Sequence, residues 1–266
     1  DEDWIQLVEE DTRELVKGTF LEGAPSIEVA AFEGYHIEEL KQLIVSQIDD
    51  ALLKNNAEEL FRLPIDRVFT IQGYGTVITG TLIEGTIQKG DEVEIFPEDR
   101  KVKVRNVQVH NESVDAAFAG QRTALNLAGI GKEELNRGDV LAYPDSLEPS
   151  MMADVYLELF DDIEYEVLNN SRVHFYCGST EVIGKVVLLD RDAAEPGDSC
   201  YAQIRFENEV AFKREDRFIV RFYSPVITIG GGRILDAHPA KHKRNRDSVI
   251  HALDIKDHGE IGEIAE

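Results

Sequence analysis

The stretch FRLPIDRVFTIQGYGTVITGTLIEGTIQKG, residues 61–90, decides the fold class of this 266-residue chain. Two strand-like runs, 62–71 and 76–83, flank the turn-like tripeptide Gly73-Tyr74-Gly75. Further glycines follow at regular intervals, at Gly80, Gly85 and Gly90. Glycine lets a strand bend, bulge or turn without a Cβ penalty. The stretch therefore predicts the first strands of a β-barrel.

Strand patterns continue on the C-terminal side of this stretch. Residues 101–104 alternate between polar and apolar side chains, and 107–109 alternate one residue out of phase. The slip predicts a β-bulge at Arg105 and Asn106, because a plain shift of register would turn the apolar face outward. After a linker at 145–150, further strand-like runs predict a second barrel. These runs are 155–159, 173–177, 183–189, 200–206 and 218–222. We expect a mainly β fold with two antiparallel β-barrels.

The two ends of the chain carry helical patterns instead. Apolar residues recur at helical spacing from Trp4 to Val16, and Gly18 ends that run. A short strand at 26–30 and a second amphipathic helix at 36–53 complete an αβα remnant of a larger domain, which cannot enclose a core alone. Near the C-terminus, residues 249–253 predict a short helix. The expected domains are 1–56, 57–145, 146–239 and 240–266.

Composition limits the function classes. No apolar run approaches the roughly 20 residues that a membrane-spanning helix needs. The N-terminus, Asp1-Glu2-Asp3, is acidic where a signal peptide is basic and then apolar. Cys177 and Cys200 have neither metal nor redox spacing, which suits a reducing compartment. These features predict a soluble cytoplasmic protein without a membrane partner.

The formal net charge of −24 argues against indiscriminate binding of nucleic acid, since neutralised phosphates supply most non-specific affinity. Any RNA contact must be local, or the partner is a protein. No Ser-His-Asp or Cys-His arrangement can be argued from the sequence, so we expect no catalytic site. We expect no metal site either, because Pro239 breaks the helix that His238 and His242 would need to act together.

Four phrases resemble bacterial selenocysteine-specific elongation factors (SelB), a family of translational GTPases. They are FRLPIDRVFTIQGYGTVITGT (61–81), VRNVQVHNESVDAAFAGQRTALNLAG (104–129), LNRGDVLAYP (135–144) and RFIVRFYSPVITIGGGRILDAHP (217–239). The resemblance implies that 1–56 is the end of a GTPase domain and that 57–145 and 146–239 are the two translation-factor barrels. Residues 240–266 would lead into a winged-helix region.

The sequence departs from this family in its nucleotide-binding motifs. It contains no G-x-x-x-x-G-K-[ST] phosphate-binding loop and no D-x-x-G or N-K-x-D element. Ala30 and Ala31 stand at the family's guanine-contacting turn, with alanine where serine is usual. We therefore expect a fragment that neither binds nor hydrolyses GTP and holds no cofactor. For the full-length protein, the resemblance implies GTP and Mg²⁺.

The resemblance also implies a pocket for the aminoacyl group at the tRNA 3′ end, formed by Asp66, Arg67 and Arg122. Selenocysteine is a selenolate at neutral pH, and a cationic pocket would favour this anion over a neutral seryl group. Asp66 would orient one of the arginines or contact the amino group. Tyr74 could stack on an unpaired base of the acceptor end. From spacing alone, an ordinary exposed ion pair and a turn tyrosine fit these residues as well.

Four further basic residues are candidates for contact with the tRNA backbone: Lys213, Arg214, Arg217 and Arg233. A solvated charged loop, interrupted by Glu215 and Asp216, is an equally compatible interpretation. Gly230-Gly231-Gly232 predicts a tight turn that ends the second barrel, with close approach of another chain as the alternative. The basic run 241–246 is interpreted as a solvated linker that could touch RNA.

Together these interpretations predict a selenocysteyl-tRNA-binding fragment of a factor that acts at the ribosome during UGA-directed selenocysteine incorporation. The resemblance implies that further C-terminal domains contact an mRNA hairpin. Two alternatives stay open at this point. One is another tRNA-delivering GTPase of the elongation factor Tu type, and the other is a β-barrel module that binds a protein. Binding that weakens steeply with salt would favour RNA.

Overall fold

The computed structural model describes residues 2–48 and 58–259. The chain divides into two compact units, Asp1–Asn55 and Asn56–Glu266. Among the described residues, no helix combines the length and the apolar character needed to cross a membrane.

The described part of the first unit contains two helices, α1 (Glu2–Val16) and α2 (Ile37–Gln47). The predicted first helix is confirmed, and the second is shorter than predicted because its C-cap is Ile48; residues 49–53 of that prediction lie outside the described residues. The strand predicted at 26–30 is wrong. Only an isolated bridge between Ala30 and Tyr35 forms, because the described part of this unit offers no second strand for a ladder.

The first unit has no core of its own among residues 3–48, none of which is buried. Large apolar side chains are exposed instead, among them Trp4, Phe20 and Phe32. The sequence-based expectation that this segment cannot enclose a core is therefore met in the described residues.

The second unit begins with a barrel of nine strands. They are β1 (Arg62–Ile71), β2 (Gly75–Thr81), β3 (Thr86–Gln88), β4 (Glu92–Phe96), β5 (Arg100–Val109), β6 (Glu112–Val114), β7 (Ala116–Phe118), β8 (Arg122–Leu127) and β9 (Val140–Ala142). Six of them close a ring in the order β4-β9-β1-β2-β8-β5, since β4 also pairs with β5. Alternate residues of each strand face a common apolar core, for example Leu63, Ile78 and Leu125.

The predicted bulge in β5 is present. The register of β5 against β8 shifts between Val104 and Asn106. The extra residue keeps both Val104 and Val107 in the core on either side of the shift. A strand without the bulge would have turned one of these two valines to the solvent.

A second closed barrel follows in the same unit. Its strands are β10 (Ser150–Leu159), β11 (Val167–Leu168), β12 (Ser171–Cys177), β13 (Thr180–Leu188), β14 (Ala193–Ala194), β15 (Ser199–Val210), β16 (Arg217–Phe222) and β17 (Thr228–Asp236). The closed order is β10-β15-β13-β12-β16-β17, and β11 pairs with β14. Both cysteines are free thiols buried in this barrel. The predicted fold class, two antiparallel β-barrels after an α-helical segment, is confirmed.

The tight turn predicted at Gly230-Gly231-Gly232 is wrong. These glycines lie inside β17, where they pair with β10 on one side and β16 on the other. A Cβ atom at Gly230 would lie 2.1 Å from the carbonyl oxygen of Glu158. The three glycines therefore allow the close approach of neighbouring strands within the same barrel.

Buried charges connect the two barrels. Arg62 of β1 donates two hydrogen bonds to Asp216, which precedes β16, at 2.7 and 2.6 Å, and one to Glu84 at 2.9 Å. Lys213 donates to the second oxygen of Glu84 at 2.6 Å. Because the strand that opens the first barrel is bonded to the loop before β16, this cluster holds the barrels together.

The segment after β17 packs on the second barrel. The helix α3 (Asp247–His258) buries Leu253 against Val187, Leu189 and Leu235, which confirms the predicted short helix. The basic run before it is less solvated than predicted: the Arg244 guanidinium donates to the carbonyl oxygen of Leu188 at 2.7 Å.

Asp139 lies just before β9, and its carboxyl group should make the stability of the fold depend on pH. Its side chain is buried, and burial raises the pKa of its carboxyl to about 6 from 3.8. The folded state therefore holds this proton more tightly than the unfolded chain, so its stability falls as pH rises from about 4 through 6. We expect Asp139→Asn to gain stability relative to wild type over this window, by at most roughly 3 kcal/mol.

Chemical denaturation at a series of pH values measures this difference. Asp115→Asn is the control, because Asp115 is exposed in the same barrel and its replacement removes no buried carboxyl group. A constant difference between Asp139→Asn and wild type from pH 4 to 7 would contradict the prediction.

Candidate functional site

The candidate site lies on the outer face of the first barrel, where β1, β2, β8 and β5 are neighbours. A bulge in β1 creates it. Ile65 pairs with Gly80 and Arg67 pairs with Thr79, so Asp66 is an extra residue without a partner on β2. A bulged residue interrupts the alternation of side chains between the two faces of a strand. Here the interruption allows the side chains of Asp66 and Arg67 to contribute to one site.

Asp66 forms an ion pair with Arg122, one of the two arginines that the sequence offered as its partner. The Thr79 hydroxyl also donates to Asp66 Oδ1 at 2.9 Å. Burial alone would raise the pKa of Asp66, but the hydrogen bonds from Arg122 and Thr79 outweigh burial and lower it. The carboxylate is thus ionised at neutral pH, while half of the Arg122 side chain stays accessible, at 51% exposure.

Arg67 adds a second guanidinium to this site. It is exposed, and its charge contributes to lowering the pKa of Asp66. The described contacts include no ion pair for Arg67. Two arginines therefore share one carboxylate, which leaves a net positive charge on the outer face of a strongly acidic protein.

A small pocket of about 100 Å³ lies on the same face. Its lining combines apolar and amide side chains: Ile71, Tyr74, Val77, Asn106, Gln108, Ala124 and Asn126. Ala124 follows Arg122 by two residues on β8, so it lies about 7 Å from it on the same face. The charged pair and the pocket are thus neighbours.

The tip of the β1–β2 hairpin borders this pocket. Tyr74 is exposed there, while the side-chain amide of Asn126 donates to the carbonyl oxygens of Tyr74 at 2.8 Å and of Thr76 at 3.1 Å. These bonds fix the tip against β8. The exposed ring of Tyr74 is therefore attached to a backbone that these hydrogen bonds hold in place.

The basic residues predicted to contact tRNA backbone lie in the second barrel, and most have protein partners. Lys213 pairs with Glu84, Arg214 donates to the carbonyl oxygen of Lys256, and Arg233 pairs with Asp257 of α3. Arg217 is exposed. Their contact with RNA stays a prediction.

The predicted guanine-contacting turn lies in the first unit. Ala30 exchanges backbone hydrogen bonds with Tyr35, at 3.3 and 3.1 Å, and Ala31 is exposed. The Ala30 amide is therefore already used within the turn.

Sequence analysis missed a surface on the second barrel, the aromatic ladder. On β12, the His174 ring stacks on Tyr223 with ring centroids 5.4 Å apart, and on Tyr176 at 6.3 Å. The Arg172 guanidinium lies over the Tyr223 ring at 4.1 Å. The signal that could have found it is the alternation of Arg172, His174 and Tyr176, which places all three on one face of the strand.

Comparisons with known proteins match both barrels. A family model described as elongation factor Tu domain 2 matches residues 75–142. Another, described as the β-barrel domain of selenocysteine-specific elongation factor, matches residues 157–241.

Three similar curated proteins carry the name selenocysteine-specific elongation factor. That of Desulfomicrobium baculatum is 42% identical, over 92% of this chain and 38% of its own length. Those of Methanocaldococcus jannaschii and Haemophilus influenzae are 30% and 31% identical, over 81% and 91% of this chain and 50% and 37% of their own lengths. This chain thus spans half or less of each relative.

Solved structures agree with these relatives. The apo form of translation elongation factor SelB from Methanococcus maripaludis superposes with a TM-score of 0.79 at 26% identity, covering 93% of this chain and 57% of that one. The same protein in complex with the GTP analogue GPPNHP gives a TM-score of 0.78. A bacterial selenocysteine-specific elongation factor, EF-Sec, gives 0.78 at 25% identity, covering 99% of this chain and 42% of that one.

Proposed function

This chain belongs to the selenocysteine-specific elongation factors, and from that premise we propose that its two barrels hold the acceptor end of selenocysteyl-tRNA. The full-length protein would deliver this tRNA to the ribosome in the cytoplasm for UGA-directed selenocysteine incorporation. Further domains of that protein would contact an mRNA hairpin.

One observation supports the proposal more than any other. Asp66, Arg67 and Arg122 form a site with excess positive charge on the outer face of a chain whose net charge is −24. A selenolate beside such a site gains charge-assisted contacts that a neutral seryl hydroxyl cannot make. Selectivity also comes from the cost of burying an arginine that the wrong amino acid leaves unpaired.

The neighbouring pocket would take the terminal base of the tRNA. Its apolar lining suits the face of a base, while the amides of Asn106 and Gln108 can bond to the base edge. Tyr74 at its border would stack on an unpaired base. The distance of about 7 Å between Arg122 and Ala124 would place the aminoacyl group beside the base that carries it.

The aromatic ladder would contact the stem of the same tRNA. Arg172, His174 and Tyr223 present a guanidinium, an imidazole and a phenol on one outer face of the second barrel. Such groups bind phosphate and ribose oxygens. Arg217, exposed on β16, would extend this contact.

GTP and Mg²⁺ would belong to the full-length factor. The residues of this chain do not fit a nucleotide site: the sequence has no phosphate-binding loop, and Ala30 uses its backbone groups to bond Tyr35.

Binding of the chain to selenocysteyl-tRNA and to the same tRNA carrying serine tests the proposal. We expect the wild type to prefer the selenocysteyl form. Arg122→Ala should reduce that preference by about 10- to 100-fold, because the site loses one positive charge and Asp66, without Arg122, can pair with Arg67; a hydrogen bond to a charged group contributes about 1.5–3 kcal/mol. Protection of the aminoacyl ester against hydrolysis is a suitable readout.

Arg100→Ala is the matched control. Arg100 lies in the same barrel, is similarly exposed, and also pairs with a carboxylate, that of Glu134. Its replacement should leave the preference unchanged. Equal binding of both tRNAs by the wild type, or a preference that survives in Arg122→Ala, would contradict the proposal.

A further inference from the structure

The carboxylate of Asp66 has two arginines within reach and pairs with only one of them. Arg122 on β8 donates to Asp66 Oδ2, whereas Arg67 follows Asp66 directly in β1. A partly buried carboxylate with two arginines nearby could pair with either of them. Some further contact must set its orientation.

Thr79 supplies that contact. Its hydroxyl donates to Asp66 Oδ1 at 2.9 Å, so each carboxylate oxygen has its own donor. Thr79 lies on β2, the strand between β1 and β8. It pairs with Arg67 of β1 on one side and with Ala124 of β8 on the other. A β-branched side chain has few rotamers, and the hydroxyl is thus held in one place.

The strand geometry gives Thr79 this role. The β1 bulge leaves Asp66 without a partner opposite, and the neighbouring Gly80 permits the close approach of β1. A Cβ atom at Gly80 would lie 2.2 Å from the carbonyl oxygen of Pro64. The bulge in β1 therefore brings Asp66 within hydrogen-bonding distance of the Thr79 hydroxyl.

We infer that Thr79 is a positioning residue for the aminoacyl site: its hydroxyl orients the Asp66 carboxylate toward Arg122 and so keeps Arg67 free to meet an anionic side chain of the ligand. This inference rests on the proposed function. It adds a specificity-determining residue that neither charge nor sequence pattern indicated.

The expected consequence is a partial loss of selectivity. Without the hydroxyl, Asp66 can turn and pair with Arg67, which neutralises the guanidinium that should meet the ligand. The preference for selenocysteyl-tRNA over seryl-tRNA should fall about tenfold in Thr79→Val, the lower end of the loss expected for a hydrogen bond to a charged group. Binding of seryl-tRNA should not change.

The test combines Thr79→Val with two further variants. Thr79→Ser keeps a hydroxyl and should restore the preference. Thr81→Val is the matched control, because Thr81 lies on the same face of β2 and is exposed opposite Arg122 in the register. It should retain the wild-type preference.

A second readout does not need tRNA. Nuclear magnetic resonance of the Asp66 carboxyl carbon follows its ionisation, and the pKa of Asp66 should rise in Thr79→Val because one of the bonds that lowers it is lost. Thr79→Ser and Thr81→Val should titrate like the wild type.

The two readouts separate the possible failures. If Thr79→Val keeps both the wild-type pKa of Asp66 and the wild-type preference, the positioning role is overturned and the proposed function stands. If the wild type itself shows no preference for the selenocysteyl form, the proposed function fails, and the inference fails with it.

Discussion

Replacing Arg62 with methionine is expected to lower the free energy of unfolding by about 3–5 kcal/mol. The Arg62 side chain is only 8% exposed, and it bonds to the carboxylates of Asp216 and Glu84, which are 14% and 13% exposed. Methionine fills a similar volume but removes the cationic partner of Asp216 and leaves Glu84 with Lys213 alone. An uncompensated buried charge costs far more than the pair contributes.

The loss of the Arg62 side chain should also make the unfolding transition less cooperative. Arg62 belongs to the first barrel and Asp216 to the second, so the substitution weakens the connection between them. We expect two separable transitions in urea, one for each barrel, where the wild type shows more cooperative unfolding. Circular dichroism at increasing urea concentration measures both effects.

Arg172→Met is the matched control for this prediction. Arg172 also makes a two-pronged bond to a carboxylate, that of Glu207 at 2.9 and 2.8 Å. The two side chains of that pair are 40% and 39% exposed, however, and exposed pairs contribute only about 0–1 kcal/mol. Equal losses of unfolding free energy in Arg62→Met and Arg172→Met would contradict the argument that a buried ion pair is costlier to break than an exposed one.

The sequence allowed the barrels to be predicted where the pattern is local. The β5 bulge is an example, because one slipped residue between Val104 and Val107 is visible in the alternation of apolar side chains. The Arg62 cluster could not be predicted in this way. Its partner Asp216 is 154 residues distant in the chain, and no local pattern connects an arginine to a carboxylate in another barrel.

The candidate site was likewise predictable from the sequence only in part. Asp66, Arg67 and Arg122 were identified through the family resemblance, whereas spacing alone did not separate them from an ordinary ion pair. Thr79 was missed, because its role depends on a bulge that only the strand register shows. The aromatic ladder was missed for a related reason: Tyr223 joins Arg172 and His174 only when β12 and the end of β16 become neighbours.

Gly232 is where the local pattern was misleading. Three consecutive glycines are typical of a turn, yet here they continue a central strand with neighbours on both sides. The three glycines reflect how little space the neighbouring strands β10 and β16 leave for side chains. The closed barrel sets that space, and the segment alone does not reveal it.

Gly232→Ala is therefore expected to destabilise the second barrel by about 4 kcal/mol or more, a loss found only for severe changes of packing or backbone. The added Cβ would lie 1.9 Å from the carbonyl oxygen of Tyr156 and 3.1 Å from the ring of Phe218. A backbone oxygen cannot move aside as a flexible side chain can, so β17 must separate from β10. Because these two strands complete the ring, the separation opens the barrel.

Gly184→Ala provides the comparison, since Gly184 also lies inside a strand of the second barrel. A Cβ atom there would meet the Ile204 side chain at 3.0 Å and the carbonyl oxygen of Arg205 at 3.1 Å, which small shifts can relieve. The midpoint of urea unfolding should therefore fall much further for Gly232→Ala than for Gly184→Ala. Similar midpoints would mean that β10 and β17 can yield at this point, and that the three glycines are not required by the approach of the strands.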